Sequence, residues 1–168
     1  MIRKFCALIV VAFLAACANS APPPPCPAAG LLPGASALPV FADMAAPDSS
    51  DIKVQAEILN FRGGCKVRRD GTQEFILEID FRALLSEKHK DMKGLSLPYF
   101  VAVLASDEKL LQRERFKIKH EFDNTGLSVV TEEHVITLPG KTAETAGDFK
   151  IAFGFELTSA QLDYNRRR

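Results

Sequence analysis

Residues 149–157, FKIAFGFEL, alternate strictly: Phe149, Ile151, Phe153, Phe155 and Leu157 are separated by Lys150, Ala152, Gly154 and Glu156. Side chains two apart share one face of a strand, whereas a helix would spread these five around its circumference. The same period recurs upstream. Ile52, Val54, Ala56 and Ile58 oppose Lys53, Gln55 and Glu57, and Phe75, Leu77, Ile79 and Phe81 oppose Glu74, Glu78 and Asp80. Between those runs stands Asp70-Gly71, a favoured pair for a tight hairpin turn. Residues 97–105, LPYFVAVLA, are apolar on both faces, as a central strand requires. Residues 110–122 and 127–138 flank Asp123-Asn124-Thr125-Gly126 and predict a second hairpin with Phe116, Ile118 and Phe122 inward. Six or seven strands without a long helix predict an all-β chain, an antiparallel immunoglobulin-like sandwich. Residues 83–94 fall outside the pattern as a short surface helix or long loop. Thr158 and Gln161 have capping-box spacing for a last helical turn.

The amino-terminal segment follows a different rule. Arg3 and Lys4 precede an uncharged, almost wholly apolar run from Phe5 to Ala16. A spanning helix needs roughly 20 apolar residues, so this run has the proportions of a secretory leader. It closes on Leu14-Ala15-Ala16-Cys17, which resembles the lipobox of bacterial lipoproteins. The resemblance implies cleavage before Cys17, a diacylglyceryl thioether on its sulfur, and acylation of the new amino terminus. The alternative is an ordinary leader cut at Ala16-Cys17-Ala18, which would release a free secreted domain. Each buried methylene contributes about 0.8 kcal/mol, so several acyl chains hold a protein stably where one binds reversibly. In that family an Asp after the cysteine signals retention in the inner membrane; Ala18 here implies transfer to the outer membrane, on its periplasmic face. The expected organisation is a leader at 1–16, a lipidated Cys17 with a Pro/Ala-rich tether over 17–35, and a sandwich over 36–168. Pro22 to Pro25 favour an extended polyproline II conformation.

Four cysteines are present, Cys6, Cys17, Cys26 and Cys65. Cys6 leaves with the leader and Cys17 is taken by lipid, so one pair remains. In an oxidising compartment Cys26 and Cys65 are expected to form a disulfide. The alternative is a free, reactive thiol at Cys26. A bond would order residues 27–50 across the sandwich. Two of the 21 Lys and Arg depart with the leader, leaving 19 against 21 acidic residues and a net charge of −2. That balance gives no general attraction to nucleic acid.

Four stretches are similar to an uncharacterised group of lipoproteins from Gram-negative bacteria: Cys26-Pro27, AEILNFRGGC at 56–65, LPYFVAVL at 97–104 and GFELTSAQLDYNR at 154–166. The likeness covers most of the mature chain, and its carboxyl-terminal motif is the most specific part. It departs at 86–94, where such sequences often carry Gly-Pro-Ala and this chain has SEKHKDMKG. The resemblance supports the pairing of Cys26 with Cys65 and the β fold, and it imports no activity.

Catalytic and metal chemistry find little footing. His89, His120 and His134 lie on separate segments without metal-ligand spacing. His120 alternates with Ile118 and Phe122 and therefore faces the apolar side. In Glu132-Glu133-His134 only Glu132 and His134 share a side of a strand. Ser96, Ser128 and Ser159 lack a nucleophile elbow, and no glycine-rich phosphate loop occurs. No enzyme activity, cofactor or metal is expected.

The most distinctive surface feature is RERFKIK, which places Arg113, Arg115, Lys117 and Lys119 on one face of a single strand. Such a row suits an anionic envelope component or an acidic protein surface. The plainer reading is a solvated face balanced by Glu78, Asp80 or Glu133 that guards a sheet edge. Arg166 to Arg168 form a second basic group. The function expected is a non-catalytic, membrane-anchored interaction or structural module of the envelope; the alternative is a carrier of a small apolar or lipid ligand in a Phe-rich interior.

Overall fold

A computed structural model describes residues 25–43, 51–138 and 147–167. Cys6, Cys17 and the leader expected over residues 1–16 lie outside the described residues. The strands are β1 (Ala28–Leu31), β2 (Ala37–Phe41), β3 (Ile52–Val67), β4 (Gln73–Leu85), β5 (Gly94–Leu104), β6 (Leu110–Glu121), β7 (Leu127–Thr137) and β8 (Lys150–Phe155). They are followed by one helix, α1 (Ser159–Arg167). Sheet I has the order β1-β8-β5-β6 and sheet II the order β2-β3-β4-β7. Every pairing is antiparallel except β1 with β8. The chain is thus the two-sheet sandwich its alternation predicts, built from eight strands. Two sheets and repeated crossings between them are what it shares with immunoglobulin domains.

The alternating residues meet between the sheets. Phe75, Leu77, Ile79 and Phe81 of β4 face Tyr99 and Val101 of β5 and Ile151, Phe153 and Phe155 of β8, and all are buried. The Phe81 ring centroid lies 4.9 Å from that of Tyr99 and 5.6 Å from that of Phe155. Truncating such a ring to alanine costs about 3–5 kcal/mol, because the site collapses only in part. The two-faced apolar segment 97–105 is indeed internal: β5 lies between β8 and β6.

The Asp70-Gly71 turn joins β3 to β4, with Gly71 at φ +84° and the Asp70 carboxylate accepting the Thr72 N–H at 3.0 Å. Along β3 the register slips between Ile58 and Asn60, ejecting Leu59 to solvent. The bulge returns Phe61 to the inside, where it packs edge-on against Phe153 at 4.9 Å.

Two expectations need correction, and one hairpin is added. The segment 17–35 is not tether to its end, because Ala28–Leu31 add to sheet I beside β8. Ordered structure therefore begins before residue 36. Strands β6 and β7 are not a hairpin: β6 pairs with β5 and β7 with β4, and residues 122–126 carry the chain from one sheet to the other. The Asp123 carboxylate caps that passage by accepting the N–H of Thr125 and of Leu127, and Gly126 sits at φ +81°. Lastly, β5 and β6 form a hairpin through 105–109 that the sequence conceals, because Glu108 rather than a glycine takes the left-handed position, φ 66°. Residues 83–94 resolve into the end of β4 and a short 3-10 turn at Glu87–His89.

Candidate functional site

The cysteines come first because they fix the start of the domain. Cys26 and Cys65 are disulfide-bonded with Cα atoms 5.7 Å apart, which stitches the segment before β1 onto β3. The adjacent Pro25 carbonyl accepts the Gln73 side-chain amide at 3.1 Å. Residues 28–41 then run as two ordered strands, one in each sheet.

Beyond the disulfide, a concave surface lies on the outer face of sheet I. Outward side chains follow cross-strand rows: Gly30, Ala152, Ala102 and Arg113 form one, and Gly154, Phe100 and Arg115 the next. Small residues keep the floor low. The β1–β2 loop raises one wall with Leu32 and Pro33, and α1 raises another with Leu162 and Arg166. The result is an open groove of about 670 Å³ whose floor and walls are mainly apolar. Gly154 is obligatory here, since a Cβ would stand 2.6 Å from that of Ala35.

Helix α1 holds its wall by buried polar bonds. Gln161 forms the expected capping box: its side-chain oxygen accepts the Thr158 N–H at 2.8 Å, and its own N–H is donated to the Thr158 hydroxyl at 3.3 Å. The Gln161 amide also donates to the Pro39 carbonyl at 2.7 Å, and the Asn165 amide to the Gly34 and Ala37 carbonyls at 2.8 and 2.7 Å. Tyr164 meets Phe41 edge-on at 5.4 Å. The carboxyl-terminal motif is therefore a clasp over the β1–β2 segment, a full helix rather than a single turn.

The four basic residues all lie on the outer face of β6, the edge strand of sheet I, but they are not equivalent. Arg113 and Arg115 share one carboxylate oxygen of Glu156, at 2.7 and 2.9 Å. The Arg113 guanidinium also lies 4.3 Å from the Phe100 ring centroid. Lys119 pairs with Glu121 at 2.6 Å, and among the described residues Lys117 has no ion-pair partner. The balancing acids are thus Glu156 and Glu121, not Glu78, Asp80 or Glu133. Those three belong to sheet II, where Glu78 and Asp80 pair with Arg62. Only Arg113 and Arg115 line the groove, joined by Arg166 of α1; Arg168 lies outside the described residues.

The histidines stay apart. His120 is fully buried, its Nδ1 3.1 Å from the Ser128 hydroxyl and its Nε2 without a partner. Burial lowers its pKa. His134 faces a cleft of about 170 Å³ between β6 and β7, with Nε2 3.0 Å from the Tyr99 hydroxyl. Burial lowers His134, opposed by the carboxylates of Glu132 and Glu114, and burial with Glu132 raises Tyr99. This hydrogen bond between the Tyr99 phenol and the His134 imidazole ties β5 of sheet I to β7 of sheet II. Among the described residues no three His, Cys, Asp or Glu gather as a metal site, and no helix is long and apolar enough to cross a membrane.

No protein-family model and no curated protein matches the chain. Among solved structures it is similar to the variable (V) domain of the AgI/II polypeptide BspA of Streptococcus agalactiae, at 10% identity over 74% of this chain and 75% of that one, with a TM-score of 0.18.

Proposed function

We propose that the protein is a membrane-tethered interaction module of the bacterial cell envelope, lipidated at Cys17, whose docking face is the groove on the outer side of sheet I. The observation that carries this reading is where the space lies. The groove of about 670 Å³ opens on the outside of the sandwich. Between the sheets, Phe75, Phe81, Phe153 and Phe155 are buried in one apolar cluster, close packing that favours an outer docking face over an enclosed ligand. A groove that spans three strands, a loop and a helix has the rigidity and one-sided access of a docking surface.

The lipoprotein leader motif, the oxidised cysteine pair and the absence of Asp after Cys17 support residence at the periplasmic face of the outer membrane. Fractionation of wild-type and Cys17→Ser protein tests the anchor. Wild type is expected with the outer membrane and the variant in the soluble or unprocessed fraction; a processed variant that still sediments with membrane would overturn the lipid assignment.

A further inference from the structure

We propose that the groove's occupant is an extended peptide segment of another protein that alternates apolar and acidic residues, its carboxylates taken by Arg115 and Arg166. This rests on the groove being the docking face, and it adds the partner's chemistry. Charge complementarity carries it: three arginines, Arg113, Arg115 and Arg166, stand around an apolar floor, and the acidic residue in the lining, Glu156, is shared by the first two.

The arginines are in different states. Arg113 is fixed by Glu156 and by the Phe100 ring. Arg115 spends only its Nε on Glu156 and is 71% exposed, so its two terminal nitrogens face solvent. Arg166 is 68% exposed, with only a long 3.9 Å contact to Asp163. Guanidinium forks with unspent donors favour carboxylates in paired geometry. Glu156 is thus an internal occupant of the site that an incoming acid must displace or share.

Shape selects peptide over acyl chain. An alkyl chain gains most from an enclosed cavity, and this groove leaves one flank in water. A strand-like peptide uses both environments, because alternate side chains point down onto Ala102 and Ala152 and up to solvent or the arginines. From Leu110 to Arg115 the floor runs about 17 Å, enough for roughly five extended residues.

The test uses the purified full chain in non-ionic detergent micelles. Fluorescence anisotropy measures a labelled heptapeptide of alternating leucine and glutamate against its leucine–lysine and leucine–serine counterparts. The acidic peptide should bind best, losing affinity about tenfold with Arg115→Glu plus Arg166→Glu, the worth of one good charge contact. Glu156→Gln, which frees the two guanidinium groups, should instead tighten it. Ala152→Leu, which raises the floor, should weaken all three peptides, with the thermal midpoint as folding control.

Equal binding of all three peptides, lost in Ala152→Leu, would overturn the acidic partner and leave the groove standing as the docking face. Peptide binding indifferent to Ala152→Leu and to the arginine variants would overturn both. Phosphatidylglycerol doped into the micelles is the lipid probe. If it displaces the acidic peptide, and retention of the chain on such micelles depends on the same arginines, the groove is a lipid site and the peptide is rejected.

Discussion

His120 carries a clear chemical tension: a titratable ring, fully buried, with one nitrogen bonded to Ser128 and the other unpartnered. Its place inside was legible, since it alternates with Ile118 and Phe122; its partner was not, since Ser128 comes from the other sheet. Burial holds the ring neutral in the fold, while the unfolded chain protonates it near its ordinary value of about 6.5. The sign follows from that difference. Its contribution is complete above about pH 6.5 and is lost as pH falls through that value toward the lowered folded one, because acid favours the unfolded form. His134 acts in the same direction. The thermal midpoint should therefore decline from pH 7 to pH 5, and His120→Gln should flatten the decline. A wild-type midpoint constant over that interval would contradict this account.

Among the elements, α1 shows how a short motif earns its place by polar contacts. Gln161 both caps its helix and satisfies the Pro39 carbonyl, so Gln161→Ala leaves a buried acceptor unpaired. The expected loss is about 1–3 kcal/mol, seen as a lower midpoint. Asp163→Ala on the exposed side should change stability by less than about 0.5 kcal/mol, and equal effects of the two would refute the clasp. Thr158 and Gln161 announced the cap, but nothing local announces that the helix reaches back to Gly34 and Ala37. Strands were legible for a similar reason, because period two is local. Their partners were harder: a turn of Asp, Asn, Thr and Gly serves a hairpin and a sheet-to-sheet passage equally, so β6 and β7 were paired in error. The β3 bulge is silent in sequence, since Leu59 reads as one more apolar residue.

For the molecule as a whole, the disulfide is a long-range covalent constraint. It closes a span of 39 residues, which on the chain-entropy model is worth about 4 kcal/mol. Reduction, or Cys26→Ala with Cys65→Ala, should lower denaturant stability by that order and deprotect β1 amides to hydrogen exchange before those of β3 and β4. Unchanged stability after complete reduction would sink this assignment of roles. The groove was half legible. Two of its arginines declared themselves in a row on β6, whereas its floor and walls come from β5, β8, a loop and α1, which only the assembled sheet brings together.

The parallel pairing of β1 with β8 bears on the order of assembly. Among the described residues Ala28–Leu31 find their ladder partner in 150–153 alone, and the β1–β2 loop seats only where Gly154 leaves room for Ala35. A chain made from its amino end delivers β1 to β7 before β8, and of these β2, β3, β4 and β7 complete sheet II by themselves. β1 must wait, tethered by Cys26, until β8 arrives. β8 thus shuts β1 into place, and a molecule stalled before residue 150 would hold one finished sheet with its apolar face incompletely covered.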